Sequence, residues 1–180
     1  MSFFTVQPAD KPLIGAARIP GDKSIGHRSL LFGALADGDV TIQGLSGGKD
    51  NQRSRHAMEA MGVSIEDLPT GQLLVHGVGI DGLRAAKGPI DCGNSGTTMR
   101  LLAGLLAAQR FDSVMIGDES LSVRPMKRVT GPVMDMGARR TGEGGKVAGE
   151  GYPPLQIYGV GSNTLRGSHF EQPVASAPVT

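Results

Sequence analysis

The sequence predicts an α/β fold in which a unit of the order helix-strand-helix-strand is repeated with pseudo-symmetry. Small polar residues at 22–28, and again at 91–100, end in an arginine just before an apolar run. A strand-like segment, a second helix and a closing strand then follow each stretch in the same order. Recurring landmarks in a fixed order are typical of internal duplication. Chance similarity of two α/β segments is the alternative.

The first unit is expected to span residues 15–86. Its first helix is predicted by apolar residues that recur at helical spacing and form one buried face: Leu30, Leu31, Ala34 and Leu35. A strand is predicted at 40–43. The second helix is expected to end at Gly62, where glycine is favoured as a left-handed cap, and a strand at 74–76 closes the unit.

The second unit is expected to span residues 87–162. Its first helix follows the second polar stretch, and a strand is predicted at 113–116. Gly137 occupies the same helix-capping place as the glycine of the first unit, and a strand around 157–158 closes the unit. A third unit is expected to begin within residues 163–180. Units of this kind need neighbours to cover their apolar faces.

The overall charge excludes a bulk field that would attract nucleic acid or membranes. Lys and Arg number 18 and Asp and Glu number 17, for a net charge of +1. Affinity for an anion must therefore come from a local cluster. Cys92 is the single cysteine, which excludes an internal disulfide and predicts a cytoplasmic protein. With no partner base in its motif, Cys92 is interpreted as structural and not as a nucleophile.

The sharpest local motif lies at residues 20–28, where a strand-like segment, 17–19, runs into a turn and a helix start. The free N–H groups of a helix start bind anions. Lys23 adds a point charge, Ser24 a hydroxyl, and Arg28 a forked donor suited to a carboxylate or phosphate. A solvated, capped helix start with two surface cations is the alternative. The preceding glycines do not have Walker A spacing.

A second loop of small residues, 91–100, precedes the next apolar helix. Gly93 and Gly96 allow the backbone to approach a ligand closely, because glycine has no Cβ atom. Thr97 and Thr98 are expected to cap this helix.

A third motif, residues 117–126, places Arg124 just before Pro125, which is expected to occupy the first helical position. The glycine pattern at 77–82 is interpreted as a strand-end turn and not a dinucleotide fingerprint, because no helix follows it. The four histidines lack metal-ligand spacing. If the units stack, their loops collect four cations at one end: Lys23, Arg28, Arg100 and Arg124. Such a cluster suits a substrate with two or more anionic groups.

Together these motifs resemble those of the EPSP synthase family of 3-phosphoshikimate 1-carboxyvinyltransferases. The matching stretches are 21–28, 93–100, 117–126 and 173–177. The resemblance implies an inside-out α/β barrel of the enolpyruvyl transferase type, with two globules each built from three such units. It also implies that residues 1–14 form a strand belonging to a second globule outside this chain.

The resemblance also implies site residues. Shikimate 3-phosphate would be held by Lys23, Ser24, Arg28, Ser176 and Ala177. Phosphoenolpyruvate would be held by Lys23, Gly96 and Arg124, in a loop shaped by Asn94, Thr97 and Arg100. Lys23 would be the catalytic residue. No metal or organic cofactor is implied, and glyphosate, which resembles phosphoenolpyruvate, is the expected inhibitor.

The implied reaction transfers the enolpyruvyl group of phosphoenolpyruvate to the 5-hydroxyl of shikimate 3-phosphate, releasing phosphate, within the biosynthesis of aromatic amino acids. The chain alone is expected to turn over little or nothing and to expose an apolar flank. A non-catalytic phosphate-ligand binding module is one alternative. Half of a split enzyme, completed by a separate C-terminal chain, is another.

Four residues depart from the pattern of the family, one of them Leu101, which follows Arg100 in a loop where substitutions are expected to tune tolerance to glyphosate. Gly26 stands where the family usually has serine, and Ser54 where it usually has threonine. Both changes are mild. Pro178 occupies the place of a glutamine that contacts both substrates, which is the more serious departure.

Overall fold

The first half of the fold is an antiparallel three-stranded sheet with helices packed against it. A computed structural model describes residues 3–141 and 151–171. Its first elements are α1 (Lys23–Leu35), β1 (Asp39–Ile42), α2 (Lys49–Ala60), β2 (Ser64–Asp67) and β3 (Leu73–His76). The central strand is β3, in which Val75 is paired with Val40 of β1 on one side and with Ile65 of β2 on the other.

The second half contains a four-stranded mixed sheet in the order β4-β5-β7-β6. Its elements are β4 (Ile90–Asp91), α3 (Gly96–Ala107), β5 (Ser113–Ile116), α4 (Glu119–Ser122), α5 (Lys127–Asp135), β6 (Arg139–Thr141) and β7 (Leu155–Tyr158). Strands β4 and β5 are parallel and the other two pairs are antiparallel. A 3-10 helix, Ser162–Thr164, follows β7.

The ends of the helices follow from local chemistry. Asp22 caps α1, since its Oδ1 accepts a 2.8 Å hydrogen bond from the N–H of Ile25. Gly62 ends α2 at φ +93° and Gly137 ends α5 at φ +104°, both in the left-handed region that glycine tolerates. At both ends the N–H groups of the glycine and of the next residue donate to carbonyls of the last turn, at 2.8–3.1 Å. Both predicted caps are confirmed.

Each half closes its last strand against the end of its first helix. Gly77 follows β3 and Gly159 follows β7. A Cβ atom on either glycine would lie 2.3 Å from a backbone carbonyl oxygen, that of Ala36 or Phe111 respectively, in the segment after α1 or α3. Only glycine fits so close a backbone approach. No helix follows the first of these turns before α3, which confirms that the glycine pattern there is a strand-end turn.

One continuous apolar core joins the two halves. Its fully buried members come from helices and strands of both: Leu30, Met58, Val75, Leu102, Met115 and Leu155. Helix α2 packs against both α1 and α3, so it forms the main contact between the halves. Because α1 and α3 both begin at predicted ligand loops, this packing determines how those loops are placed.

The structure corrects three local predictions. Strands β2, β4 and β6 and the short helix α4 were not expected. The first half therefore has the order helix-strand-helix-strand-strand, and the second half adds β4 before α3 and α4 before α5. Residues 17–19 are exposed and form no strand, since no described strand lies beside them to accept their hydrogen bonds. Helix α5 begins at Lys127, so Pro125 precedes the helix and its cap, Met126. The short helix α4 uses the preceding residues, and the Arg124 N–H donates to Leu121 at its end.

The predicted unit boundaries remain predictions. Residues 3–14 are exposed and have no regular secondary structure. Of the predicted third unit, residues 172–180 lie outside the described part of the chain. None of the helices in the described ranges combines the length and apolar character that a membrane-spanning segment needs.

Candidate functional site

The first candidate loop lies at the N-terminus of α1. The Asp22 cap uses the N–H of Ile25, which leaves the first N–H groups of the helix directed out of its end. Ser24 is exposed, and Arg28 lies one turn later, where its guanidinium donates to the Ser24 carbonyl at 3.1 Å. Lys23 is 55% exposed, and its Nζ lies 2.9 Å from Asp50 Oδ2. An incoming anion would therefore share or replace this carboxylate.

The second loop, which precedes α3, is shaped by short hydrogen bonds. Gly93 adopts φ +52°, and its N–H donates to Asp91 Oδ1 at 2.7 Å. Ser95 is the N-cap, because its Oγ accepts from the Thr98 N–H at 3.2 Å. The prediction that Thr97 and Thr98 cap this helix is wrong. Both lie inside the first turn of the helix, whereas the side chain that accepts from the free N–H groups of that turn belongs to the residue just before the helix.

Two arginines flank Gly96, the first residue of α3. A Cβ atom on Gly96 would lie 2.9 Å from one terminal nitrogen of Arg100 and 3.6 Å from one of Arg124. Burial, followed by the nearby charges of Arg128 and Arg124, lowers the pKa of Arg100. Its guanidinium is half-buried and lies at a distance of 3.5 Å from the Pro125 carbonyl. The cluster is therefore an excess of positive charge directed at a glycine, which suits an anionic ligand.

Arg128 was missed by the sequence interpretation. It is exposed, near the start of α5, and contributes to the electrostatic field at Arg100. Its position four residues after Arg124 was the available signal, but the helix start between them was placed wrongly.

Hydrogen bonds fix Arg124 against the second loop. Its guanidinium donates to Asn94 Oδ1 at 2.7 Å and to Ser120 Oγ at 3.0 Å. The Asn94 amide in turn donates to both carboxylate oxygens of Asp118, at 2.9 and 3.2 Å. This hydrogen bond, together with those from the backbone at the start of α4, lowers the pKa of Asp118. Asn94 is therefore hydrogen-bonded to both Asp118 and Arg124, and its predicted loop-shaping role stays a prediction.

Helix α2 contacts both loops. Asn51 Nδ2 donates to the Lys23 carbonyl at 3.2 Å. Arg53 forms an ion pair with Asp91 at 2.5 Å and lies over Gly93, where a Cβ atom would be 2.6 Å from its Nε. The sequence interpretation missed both residues. Polar residues at positions 51 and 54, in register with buried Ala57 and Met58, were the signal that the buried face of α2 begins with polar side chains.

Cys92 is fully buried, and burial raises the pKa of its thiol to about 12. A thiol that stays protonated is a poor nucleophile, which supports its interpretation as structural. In the described ranges, no group of three or more His, Cys, Asp or Glu side chains is arranged to hold a metal ion.

The predicted site residues thus fall into three groups. The second loop brings together Gly96, Arg100, Arg124 and Asn94, with half-buried Thr97 in the same helical turn. The first loop carries Lys23, Ser24 and Arg28, joined to the second through α2. Ser176, Ala177 and Pro178 lie outside the described residues.

Comparisons with known proteins agree with these motifs. A sequence model of the family described as EPSP synthase (3-phosphoshikimate 1-carboxyvinyltransferase) matches residues 8–180. A 3-phosphoshikimate 1-carboxyvinyltransferase of Xanthomonas campestris pv. campestris (strain 8004) is 53% identical over 167 residues, which are 93% of this chain and 36% of that protein. One from Xylella fastidiosa (strain 9a5c) is 52% identical over 168 residues.

A solved structure of EPSP synthase from Acinetobacter baumannii superposes with a TM-score of 0.83 at 45% identity. It covers 92% of this chain and 36% of its own length. The chain therefore spans little more than a third of the length of the relatives it matches.

Proposed function

This chain belongs to the EPSP synthase family, and on that basis we propose that it forms part of an enzyme that transfers an enolpyruvyl group from phosphoenolpyruvate to shikimate 3-phosphate. The flanking of Gly96 by Arg100 and Arg124 is the observation that carries the proposal. Phosphoenolpyruvate bears a phosphate and a carboxylate on three carbons. Two forked cations beside a helix N-terminus are complementary to so compact a molecule with two anionic groups.

Shikimate 3-phosphate is assigned to the first loop. Ser24 offers a hydroxyl, Arg28 a forked cation and Lys23 a point charge at the N-terminus of α1. By resemblance, Ser176 and Ala177 complete this site. Lys23 is common to both proposed sites, and its contact with Asp50 holds its ammonium group near the helix start.

The proposed chemistry is addition followed by elimination. The 5-hydroxyl oxygen bonds to C2 of phosphoenolpyruvate while C3 gains a proton and the hydroxyl loses one. Loss of a proton from C3 and of phosphate from C2 then restores the double bond. Lys23 and Arg124 would stabilise the negative charge on the departing phosphate, because fixed cations act strongly in a site that excludes water. No general base or acid for the C3 proton is assigned to this chain.

We also propose that the two halves are repeated units, spanning 15–86 and 87–162, of an inside-out α/β barrel. The similar turns at Gly77 and Gly159 support this assignment. Exposed Ile25 and Phe32, seven residues apart on α1, at 66% and 68% exposure, form an apolar flank that a further unit would cover. A cytoplasmic location is proposed from the lone buried thiol.

The isolated chain is proposed to bind ligand weakly and to release little phosphate. Phosphate release from the two substrates, measured with the chain alone, tests this directly. Turnover by the chain alone would overturn it. Turnover only after addition of a separate C-terminal chain would favour the split-enzyme alternative. Micromolar binding without turnover, under either condition, would favour a binding module.

The glycine at position 96 provides a sharper test of the phosphoenolpyruvate site. Gly96→Ala should weaken phosphoenolpyruvate binding by about tenfold, since its methyl group would displace Arg100. Gly104→Ala is the matched control on the same helix, because a Cβ atom there meets nothing within 4 Å. Isothermal titration with shikimate 3-phosphate present measures both variants. Equal affinities would contradict the assigned site. Glyphosate should compete with phosphoenolpyruvate in the same titration.

A further inference from the structure

A continuous hydrogen-bonded network of buried polar side chains connects the two ligand loops. His27 Nδ1 lies 2.7 Å from Ser54 Oγ, which lies 2.9 Å from Thr98 Oγ1. Thr98 Oγ1 lies 2.7 Å from Ser95 Oγ, the N-cap of α3. His27 directly precedes Arg28 of the first loop, and Ser95 directly precedes Gly96 of the second. Three hydrogen bonds therefore join the backbones that carry the two loops.

Every member of this network is buried away from solvent. His27, Ser54 and Thr98 are 0% exposed and Ser95 is 1% exposed. A buried polar group that loses its partner is not compensated by water, so removal of one member leaves its neighbours unsatisfied. This hydrogen-bonded network is therefore expected to respond as a unit to the loss of any one hydroxyl.

The direction of the hydrogen bonds follows from the state of His27. Burial, the largest influence, lowers the pKa of His27, so its ring is neutral at neutral pH. Its Nε2 is buried and has no hydrogen-bond partner in the described part of the chain. An unpaired buried N–H group is rarer than an unpaired acceptor. This favours a proton on Nδ1, donated to Ser54, with Ser54 donating to Thr98 and Thr98 to Ser95 or to the Asp50 carbonyl, 3.4 Å away.

Ser54 occupies the centre of the network and belongs to neither loop. It lies on α2, and its hydroxyl is hydrogen-bonded to His27 of α1 and to Thr98 of α3. Asn51 contacts the Lys23 carbonyl of the first loop, and Arg53 contacts Asp91 of the second. Asp50 reaches both loops, but through an exposed ion pair with Lys23 at 2.9 Å and a longer contact of 3.4 Å between its carbonyl oxygen and Thr98 Oγ1. Among these four residues, Ser54 alone joins the two loops through a buried side chain.

We propose that Ser54 is a positioning residue whose hydroxyl holds the Lys23–Arg28 and Gly93–Arg100 loops in one fixed arrangement. The ligands of these loops are those of the proposed function, on which the functional meaning of the inference rests. The positioning itself is a property of the chain without ligand. It is therefore testable whether or not either substrate binds.

Amide hydrogen exchange of the full chain, followed by NMR, measures the order of each loop. The Gly26 N–H, bonded to the Asp22 carbonyl, reports on the first loop, and the Met99 N–H, bonded to the Ser95 carbonyl, reports on the second. Ser54→Ala should accelerate exchange at both amides by about 5- to 30-fold relative to the core strands β5 and β7. This ratio separates loop opening from a general loss of stability.

Two controls match the chemistry of the change. Ser54→Thr keeps the hydroxyl and should leave both exchange rates within about twofold of the original. Ser113→Ala removes another buried serine hydroxyl, which has no hydrogen-bond partner among residues 3–141 and 151–171, and should also leave both loops unchanged. Thr98→Val and Thr98→Ser form a second pair, without and with the hydroxyl, in case the changes at Ser54 prevent folding.

Acceleration at both loops in the variants that lack the hydroxyl, and not in those that keep it, would support the inference. Acceleration at one loop only, or at neither, would overturn it. Titration of the original chain with shikimate 3-phosphate and phosphoenolpyruvate is the separate readout for the proposed function. Absence of binding there would count against that function, while the exchange rates would still decide the role of Ser54.

Discussion

The Asn51 side chain occupies the space that a Cβ atom on Gly26 would need, so substitution of this glycine should destabilise the fold. Gly26 is buried near the start of α1, and Asn51 on α2 is 0% exposed. A Cβ atom on Gly26 would lie 1.9 Å from Asn51 Nδ2 and 2.8 Å from Leu45 Cδ1. Neither distance is compatible with van der Waals contact, so the Asn51 side chain must move and release the Lys23 carbonyl.

The expected size of the effect follows from three contributions. Alanine in place of glycine stabilises a helix interior by about 1 kcal/mol. Overpacking of a buried site costs about 1–3 kcal/mol, and the lost hydrogen bond of Asn51 about 1 kcal/mol more. Gly26→Ala should therefore reduce the free energy of unfolding by about 1–3 kcal/mol. The same change at Gly33 is the control, since its Cβ atom would lie 3.5 Å from Val75, an ordinary contact. Gly33→Ala should leave stability unchanged or increase it by about 1 kcal/mol.

A double-mutant cycle identifies Asn51 as the cause. Asn51→Ala removes the obstructing amide, together with a buried Oδ1 that has no hydrogen-bond partner among the described residues. The double variant Gly26→Ala/Asn51→Ala should be more stable than the sum of the single changes predicts, by about 1–2 kcal/mol. Urea unfolding of the four proteins supplies the free energies. Strictly additive effects, or equal stabilities of Gly26→Ala and Gly33→Ala, would refute the reasoning.

Three further predictions concern stability. Burial keeps the pKa of His27 below its ordinary value of 6.5, so the unfolded chain binds more protons in acid than the folded one. The free energy of unfolding should therefore fall as the pH drops below about 6.5. Urea unfolding of His27→Gln at a series of pH values should lack this contribution to the pH dependence. Hydrogen bonds to Asp39, the larger cause, and to Glu66 raise the pKa of His76. The contribution of these contacts to folding stability should therefore be complete below about pH 6.5 and be lost as the pH rises through the raised pKa. An unchanged alkaline slope in His76→Asn would contradict this. Leu102→Ala, at a position that is 0% exposed, should cost about 2–5 kcal/mol in urea unfolding, and the same change at Ile116, which is 37% exposed, clearly less.

The helix ends and the loops that precede α1 and α3 were predictable because their causes are local. Asp22 reaches the N–H of a residue three positions later, and the glycines after α2 and α5 relieve a clash within the last helical turn. Local rules failed where two solutions compete within a few residues. Ser95, not Thr97 or Thr98, caps α3, and α4 displaces the start of α5 past Pro125.

The short strands show a second limit. The burial pattern of β2 has one buried residue among four, too little alternation to predict a strand. Its place in the sheet is decided by β3, which pairs with it across the turn between them. Pairing of β6 with β7 is similarly decided by a partner, since its three residues carry no periodic signal of their own.

The sequence by itself determined the α/β class, the position of two cationic helix starts and the family of this protein, because caps, glycines and helical spacing act over three or four residues. Tertiary structure alone decided which polar groups meet. The contacts of Ser54 with His27 and Thr98 join residues separated by 27 and 44 positions, and the fit of Asn51 to Gly26 arises only once α2 packs against α1. Such contacts depend on how whole helices are placed by the core, and no local pattern contains that information.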